Sequence, residues 1–466
     1  MTDPAPAGSP AEIAVPRAEL FALAAEHERA GRLGDAARLL SHLLAADADA
    51  ADALHLMGII AYRQGDIARA LDLIERALAR GLDQPLYLRN IAEVYRALGR
   101  LDQARTAAEA AVALHRGDPL SLANLAIIHG DRLELDQAVA AAEAALALDP
   151  DNAAAHFERG EARLLRGDLP GGFADMEWRF ALDGAAPPLP NTDRPAWDGA
   201  PMASGRLLLI GDQGFGDVIQ FARYIPWVQS RVADLVIGAS RPLIGLLRQI
   251  TDAPIRDTWR GIPDFAAWTT LSGLPRLAGT TLATIPAPIP YLHADPARIT
   301  RWRARLDQLC PPGMARIGIA WAGRAAHKND RNRSAGLAAF APLLARGDCV
   351  FVGVQKGPAV AQVASYTGAA PLVHLGPELG DFEDTAAVLT TLDLLVSVDT
   401  SVVHLAGALG RPAWVALPYA PDWRWMLGRA DTPWYPTLRL FRQTSPGAWD
   451  GVMADIAAAL DARGKP

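Results

Sequence analysis

The chain has 466 residues, more than one ordinary domain holds, so we expect two or three units that each bury a core. Half of the residues are hydrophobic and 21% are charged, a composition that excludes disorder of the whole chain. The formal net charge of -7 argues against a general binder of nucleic acid or of anionic membranes, because basic side chains dominate such surfaces.

The N-terminal residues 1–16 are rich in Pro and Ala and lack the features of a signal peptide, so they predict a flexible tail. No apolar run approaches the roughly 18 to 20 residues that a membrane-spanning helix needs, and we expect no transmembrane segment. Cys310 and Cys349 are far apart and outside any metal-ligand spacing. They predict reduced thiols and a cytoplasmic location, and no cofactor is expected.

Residues 17–182 repeat with a period of 34. Large residues recur in one column, and small residues follow four places later. A generic Ala-rich bundle is the alternative, but a bundle has no reason to keep a period. The pattern resembles the tetratricopeptide repeat, whose stacked helix pairs form a superhelix with a groove for a protein or peptide partner. The columns are Leu20, Leu54, Leu88, Leu122 and His156, then Ala24, Gly58, Ala92, Ala126 and Gly160.

The end of the array departs from this pattern. Residues 169–180 place Gly where Ala is usual and finish with several aromatic residues, which we interpret as a cap that docks the array onto the C-terminal part of the chain. Residues 183–205 are rich in Pro and predict a linker that lies against the surface through Trp197.

A glycine-rich turn follows the first predicted strand, Leu207 to Ile210. Its glycines match neither the dinucleotide fingerprint nor a phosphate loop. The turn ends at Asp217, at the mouth of a helix, where a carboxylate could accept a proton in a cleft. A helix-capping carboxylate is the alternative interpretation. The glycines of the turn are Gly211, Gly214 and Gly216.

Alternating strands and helices then predict two α/β domains, 206–309 and 310–466, joined by an amphipathic helix over residues 296–309. A basic loop at residues 324–334 contains Lys328 and Arg331, and its cations would oppose a pyrophosphate; a solvated surface loop is the alternative. Gln355 and Lys356 follow another predicted strand at its carboxyl end, where they are candidates to bind the same ligand.

A buried β-α-β unit over residues 394–417 has Asp399, Thr400 and Ser401 in its first turn. Parallel sheets bind ligands beyond the carboxyl ends of their strands, and helix N-termini favour anions. His404 lies one helical turn further on, where contact with a ligand and burial in the core both remain open. Trp423 and Trp425 could stack on a ring or simply pack.

Three segments together resemble the heptosyltransferases of glycosyltransferase family 9. They are Gly216 to Ile219, the Lys328 loop, and Val398 to Leu409 with Pro412. The resemblance implies a GT-B fold of two Rossmann-like domains and inverting transfer from a nucleotide-sugar donor. It implies that Asp217 is the general base, that Lys328 balances the leaving diphosphate, and that Asp399, Thr400, Ser401 and His404 line the donor pocket. No Asp-x-Asp element stands in a convincing loop, so no metal is expected.

The full architecture is therefore α plus α/β, a tetratricopeptide superhelix followed by a GT-B half. That combination is similar to the O-linked N-acetylglucosamine transferases and to bacterial flagellin glycosyltransferases, in which repeats present a protein acceptor. The leading hypothesis is transfer of a sugar to a hydroxyl of a protein held by the repeats. The alternative is a non-catalytic scaffold with a degenerate glycosyltransferase domain.

Overall fold

The computed structural model describes residues 16–81, 84–182, 184–185, 192–262, 264–286, 288–327 and 329–463. The chain divides into two compact units, Met1–Ala155 and His156–Pro466. Residues 1–15 of the predicted tail lie outside the described residues, as do Lys328 and residues 183 and 186–191 of the predicted linker.

The first unit is an array of helices that pack in sequential pairs. Asp66 and Asp118 cap two of the helices by accepting hydrogen bonds from backbone amides, and Pro85 and Pro119 stand at first helical positions, where no amide is needed. The helices are α1 (Arg17–Arg29), α2 (Leu33–Ala46), α3 (Ala51–Arg63), α4 (Ile67–Arg80), α5 (Pro85–Ala97), α6 (Leu101–Leu114), α7 (Pro119–Asp131) and α8 (Leu135–Leu148).

Small residues let the helices of each pair approach closely. Ala36, Ala70 and Ala104 are fully buried, and a Cβ added at Gly58 would lie 2.5 Å from Cγ1 of Ile74. The turns within pairs need a left-handed residue, which Gly supplies at Gly65 with φ 83°. The 34-residue period thus arises both from the small residues at the close helix contacts and from the glycines in the turns.

Helix α9 (Ala153–Arg166) crosses the division between the units, and α10 (Leu169–Asp175) follows it in the second unit. Asp175 joins these two helices because its carboxylate accepts hydrogen bonds from Arg159 at 2.7 and 2.8 Å and from Arg163 at 2.9 Å. The division therefore falls within residues 17–182, the range that the period assigns to the repeats.

The first sheet of the second unit is parallel throughout, with strand order β3-β2-β1-β4. Its first strand begins at Met202, inside the stretch predicted as linker, and Trp197 just before it is buried and 5.6 Å from the ring of Trp227. The strands are β1 (Met202–Ile210), β2 (Val232–Gly238), β3 (Ile255–Arg256) and β4 (Ala267–Thr270). The helices are α11 (Phe215–Phe221), α12 (Ile225–Gln229), α13 (Ile244–Leu247) and α14 (Leu274–Leu277).

Helix α15 (Pro296–Leu309) leads to the second sheet and has the predicted bounds. This sheet is also parallel, with order β10-β9-β8-β5-β6-β7, so the strand order reverses between β5 and β8. Its strands are β5 (Ala315–Ala320), β6 (Cys349–Gly353), β7 (Leu372–His374), β8 (Leu394–Val398), β9 (Ala413–Leu417) and β10 (Leu438–Arg442). Its helices are α16 (Asp330–Arg333), α17 (Ala341–Leu344), α18 (Phe382–Thr390), α19 (Ser401–Ala408) and α20 (Trp449–Arg463).

The structure confirms the division into a helical array and a C-terminal α/β region with parallel sheets. Strands β8 and β9 are buried at every position, as a parallel sheet covered on both faces requires. Among the described residues, no helix combines the length and the apolar character needed to cross a bilayer.

Candidate functional site

The N-terminal turns of α11 and α19 meet at the carboxyl edges of the two sheets. Gly216 makes this approach possible, because a Cβ there would lie 2.7 Å from Cδ2 of His404 and 3.5 Å from Cα of Ser401. The turn after β1 and the turn after β8, both predicted as site segments, are therefore in direct contact.

Asp217 lies in the first turn of α11 and pairs with the guanidinium of Arg424. Helix α11 has Gly214 as its N-cap, so the Asp217 carboxylate does not serve as the cap. Arg424 is held in place because it also donates to Gln220 at 2.5 Å and to both carboxylate oxygens of Asp422 at 2.9 Å. Burial raises the pKa of Asp217, and Arg424 opposes that rise. A carboxylate of higher basicity thus lies beside a fixed cation.

Asp399 and His404 face each other at the start of α19, with 4.0 Å between Oδ1 of Asp399 and Nε2 of His404. Burial, followed by the charge of Asp422, raises the pKa of Asp399 to about 6. Burial, followed by the charge of Arg424, lowers the pKa of His404 to about 3, so the imidazole is neutral at neutral pH. Thr400 begins the helix by its backbone, and its Oγ1 lies 3.3 Å from Oγ of Ser397.

The basic loop after β5 brings Arg333 toward this pair. The Arg333 side chain is 20% exposed, and its positive charge is among the smaller causes that lower the pKa of His404. Arg331 is exposed on the same short helix, α16. Lys328 lies outside the described residues, so its role remains a prediction.

Gln355 and Lys356 contact the protein itself. Oε1 of Gln355 accepts hydrogen bonds from the backbone amides of Trp321 and Ala322 at 3.0 and 2.9 Å, and Lys356 donates to the carbonyl of Leu379. Gln355 thereby ties the end of β6 to the loop after β5. Contact of either side chain with a donor remains a prediction.

Gly211 and Gly214 shape the turn before Asp217. The Gly211 amide donates to the carbonyl of Gly238 at 2.8 Å, and a Cβ at Gly211 would lie 3.2 Å from Cγ2 of Val218. A Cβ at Gly214 would lie 3.2 Å from Oδ2 of Asp217. Both glycines therefore serve close packing around the start of α11.

The sequence interpretation missed Asp422 and Arg424, although both lie in a loop that follows the carboxyl end of a parallel strand, β9. The same criterion that selected Asp399 would have selected them. The neighbouring tryptophans are packed: Trp425 is buried with its ring stacked 5.5 Å from that of His404, and Trp423 is 5.4 Å from the ring of Phe173. These contacts favour the packing interpretation of the two rings.

Glu161 on α9 was also missed. Burial, followed by the charge of Asp422, raises the pKa of Glu161 to about 8, so its carboxyl is protonated at neutral pH. Glu161 follows Ile127 by 34 residues and so occupies an ordinary position of the repeat. That position alone did not indicate that Glu161 interacts with site residues elsewhere in the chain.

Across the described residues, no group of three or more His, Cys, Asp or Glu side chains has the arrangement that could hold a metal ion. The site instead combines carboxylates of raised pKa, a neutral imidazole and the cations Arg424 and Arg333. Such a set can accept a proton and can stabilise negative charge on a bound group.

Comparison with known families decides the nature of the helical array. Residues 55–119 and 124–175 match the model of the tetratricopeptide repeat family. The helical array consists of tetratricopeptide repeats. Repeats of this type form grooves for proteins or peptides, which implies a protein or peptide partner for this part of the chain.

The chain is also similar to Protein FlbA of Caulobacter vibrioides (strain ATCC 19089 / CIP 103742 / CB 15), with 27% identity over 337 residues. The match covers 66% of this chain and 55% of FlbA, so the chain spans about half the length of this relative.

Several solved structures resemble about a third of the chain. YrrB, described as a TPR protein with an unusual peptide-binding site, is 18% identical, with 36% of this chain and 86% of YrrB covered and a TM-score of 0.30. MamA is 17% identical, with 34% and 91% covered and a TM-score of 0.30. PilW, a type IV pilus biogenesis factor, is 18% identical, with 35% and 76% covered and a TM-score of 0.34.

Proposed function

We propose that the second unit is an inverting glycosyltransferase of the GT-B type, which moves a sugar from a nucleotide-sugar donor to a hydroxyl of a protein held by the repeats. The observation that carries this proposal is the contact between the two site turns. Gly216, the neighbour of Asp217 at the edge of one parallel sheet, lies against Ser401 and His404 at the start of α19 at the edge of the other. Asp217 itself pairs with Arg424. A two-sheet transferase needs a base on one side and a donor site on the other.

Asp217 is the proposed general base. It would accept the proton of the acceptor hydroxyl while the hydroxyl oxygen bonds to the anomeric carbon and the bond from that carbon to phosphate breaks. Burial raises the pKa of Asp217, which makes its carboxylate a better proton acceptor than a solvated one. Arg424 counteracts this effect, so we expect the pair to loosen when the substrates bind.

The proposed donor site lies where the strand order of the second sheet reverses, between β5 and β8. Open parallel sheets bind ligands in the crevice at such a point. The loop after β5 supplies Arg333 there, and the turn after β8 supplies Asp399 and the N-terminal amides of α19. Amides and cations of this kind would stabilise the negative charge of the departing phosphate group without a metal ion.

The proposed acceptor is a protein, because tetratricopeptide repeats precede the α/β region in the same chain. Glu161 and Phe173 support a connection between the two functions. Both belong to the helices that end the array, and they interact with the loop that holds Arg424.

The test is a donor screen by mass spectrometry on the full chain. Nucleotide sugars with heptose, hexosamine and nonulosonic acid groups are offered together with proteins captured from the native host by the repeats. We expect one donor to be consumed, with a matching mass increase on a captured protein. Asp217→Asn should lower turnover by about 10²- to 10⁴-fold, because it removes a general base.

Asp234→Asn is the matched control. This residue lies on β2 of the same sheet, and its side chain is 45% exposed. It pairs with Arg206 at a distance of 2.8 Å, and this pair is not part of the site turns. Its turnover should equal that of the unmodified chain. Full turnover in Asp217→Asn would remove the base from the mechanism. Partner capture without consumption of any donor would favour the scaffold instead.

A further inference from the structure

His404 is enclosed by three elements of the second unit. The ring faces the backbone of Gly216 on α11 and stacks on Trp425 from the loop after β9. Its Nδ1 lies 3.2 Å from the hydroxyl oxygen of Tyr435. The side chain is 7% exposed, so its two nitrogens must find partners within the protein or in a bound ligand.

Tyr435 is held firmly beside this imidazole. It is fully buried, and its ring lies against the backbone of α19, where a Cβ added at Gly407 would collide with the ring. The guanidinium of Arg223 covers the ring at 4.8 Å and donates to the carbonyl of Trp434 at 3.0 Å. The phenol therefore has one position relative to His404.

The direction of this hydrogen bond follows from its surroundings. Burial raises the pKa of Tyr435 well above its usual value, so the phenol keeps its proton and needs an acceptor. The Tyr291 hydroxyl donates to the carbonyl of Ile219 at 2.9 Å and accepts from the guanidinium of Arg223 at 3.4 Å, and a guanidinium has no acceptor. Nδ1 of the neutral His404, 3.2 Å from the Tyr435 hydroxyl oxygen, is the acceptor for the phenol.

We propose that the hydroxyl of Tyr435 donates a hydrogen bond to Nδ1 of His404 and so keeps this histidine in the tautomer that carries its hydrogen on Nε2. A neutral imidazole has one donor and one acceptor nitrogen, and a bond to one nitrogen decides the role of the other. The Nε2–H group then faces Asp399, 4.0 Å away, at the start of α19. Tyr435 is thus a positioning residue, and His404 offers a single uncharged donor.

This arrangement indicates which ligand group would bind at the turn after β8, an inference that rests on the proposed function. An Nε2–H donor and the amides of a helix N-terminus all require a group that only accepts hydrogen bonds. The phosphate oxygens of a nucleoside phosphate meet that requirement. His404 would contact such an oxygen without adding a positive charge to the site.

The tautomer is tested by nitrogen NMR on the full chain labelled with ¹⁵N at histidine. His404→Gln assigns the resonances of His404 by their loss. We expect a neutral imidazole with its hydrogen on Nε2 at pH 7. In Tyr435→Phe the hydroxyl is lost, and a second population with the hydrogen on Nδ1 should appear. A protonated ring, or a hydrogen on Nδ1 in the unmodified chain, would overturn the proposal.

Trp425→Phe is the matched control, because it changes the stacking partner of His404 without touching Nδ1. Its tautomer should equal that of the unmodified chain; the same mixture as in Tyr435→Phe would assign the effect to packing and overturn the role of the hydroxyl. The unmodified spectrum decides the tautomer even if a variant does not fold.

Titration with UDP, GDP, ADP and CMP separates the tautomer from the ligand. We expect one nucleotide to shift the Nε2 resonance, and Tyr435→Phe to weaken its binding about three- to tenfold, as loss of one oriented hydrogen bond would. The expected tautomer without any nucleotide shift would support the role of Tyr435 and overturn the nucleotide site.

Discussion

The first unit (the repeat unit) and the second unit (the α/β unit) differ in which residue types they bury. The repeat unit, Met1–Ala155, buries mainly Ala, Leu and Ile, and among its described residues the one buried carboxylate, Glu28, is paired with Arg63 at 2.7 Å. The α/β unit buries Arg179, Arg223 and Asp399. Apolar contacts can repeat along a chain, whereas a buried charge needs a specific set of partners.

This difference separates stability from function. A buried charge costs free energy unless it is paired, so a unit that keeps several of them retains groups that do not serve stability alone. Of these groups, Asp399 interacts electrostatically with Arg424, and Arg223 with His404 on α19. We therefore expect the stability of the α/β unit to respond to substitutions of buried charges, and the stability of the repeats to respond to changes in the size of small residues.

The largest effect is expected for Arg179→Met. Arg179 follows the last repeat helix, is 8% exposed, and donates to Ser272 at 2.6 Å and to Asp212 at 3.5 Å. Its loss leaves the Asp212 carboxylate buried without its cation, so the free energy of unfolding of the α/β unit should fall by about 3 to 5 kcal/mol. All 12 tryptophans lie in this unit, so tryptophan fluorescence during denaturation measures it selectively.

Arg276→Met is the comparison for that variant. Arg276 lies 3.6 Å from Glu177, and the two side chains are 42% and 35% exposed. Loss of such a surface pair should cost less than about 1 kcal/mol. Equal losses for the two arginines would show that the segment after α10 does not belong to the α/β unit.

Asp399→Asn should stabilise the α/β unit at pH 7.5 by about 1 to 3 kcal/mol. The pKa of Asp399 is about 6 in the folded chain and about 3.9 when unfolded, so folding favours its protonated form. The charged carboxylate therefore destabilises the fold most above pH 6. The gain from Asn should shrink as the pH falls from 6 to 4.

The same tryptophan denaturation, repeated at pH 7.5 and pH 4, checks this prediction. A gain that is equal at both pH values would contradict the raised pKa. Binding of the nucleotide found in the titration should be lost in Asp399→Asn, which would show that the residue is kept for the site at a cost in stability.

Gly58→Val should lower the stability of the repeats by about 1 to 3 kcal/mol, because its side chain collides with Ile74. Hydrogen exchange of the α3 and α4 peptides measures this loss, and the tryptophan denaturation curve should not change.

The smallest effect is expected for Gly34→Ala on α2, where a Cβ meets nothing within 4 Å. The substitution should raise the free energy of unfolding of the repeats by about 0.5 to 1 kcal/mol. A loss in Gly34→Ala would contradict the packing of the array.

Much of the fold was accessible from the sequence. The 34-residue period, the helix at Pro296–Leu309 and the β-α-β unit around Asp399 depend on short-range patterns of apolar, small and turn residues. The first strand was predicted too short, because residues from Met202 onward carry few apolar side chains at the start of β1. Their pairing with β2 depends on a partner thirty residues away.

The candidate site was accessible only in part. Asp217, Asp399 and His404 could be selected because each lies after a strand, at or near the start of a helix. Arg424 also follows a strand, β9, and was missed although the same criterion applies to it. Tyr435 could not be selected, since it lies in a loop whose place is decided by contact with His404. Tyr435 is 31 residues from His404 in the chain, and Arg424 is 207 residues from Asp217.

The sequence by itself determined the repeat helices, the strands and the turns that carry the first site residues, because each of these elements depends on neighbours within a few positions. Only the tertiary structure decided that Gly216 admits His404, that Arg424 pairs with Asp217, and that Tyr435 meets Nδ1 of His404. Each of these contacts joins residues distant in the chain, and their burial sets the protonation that local sequence does not express.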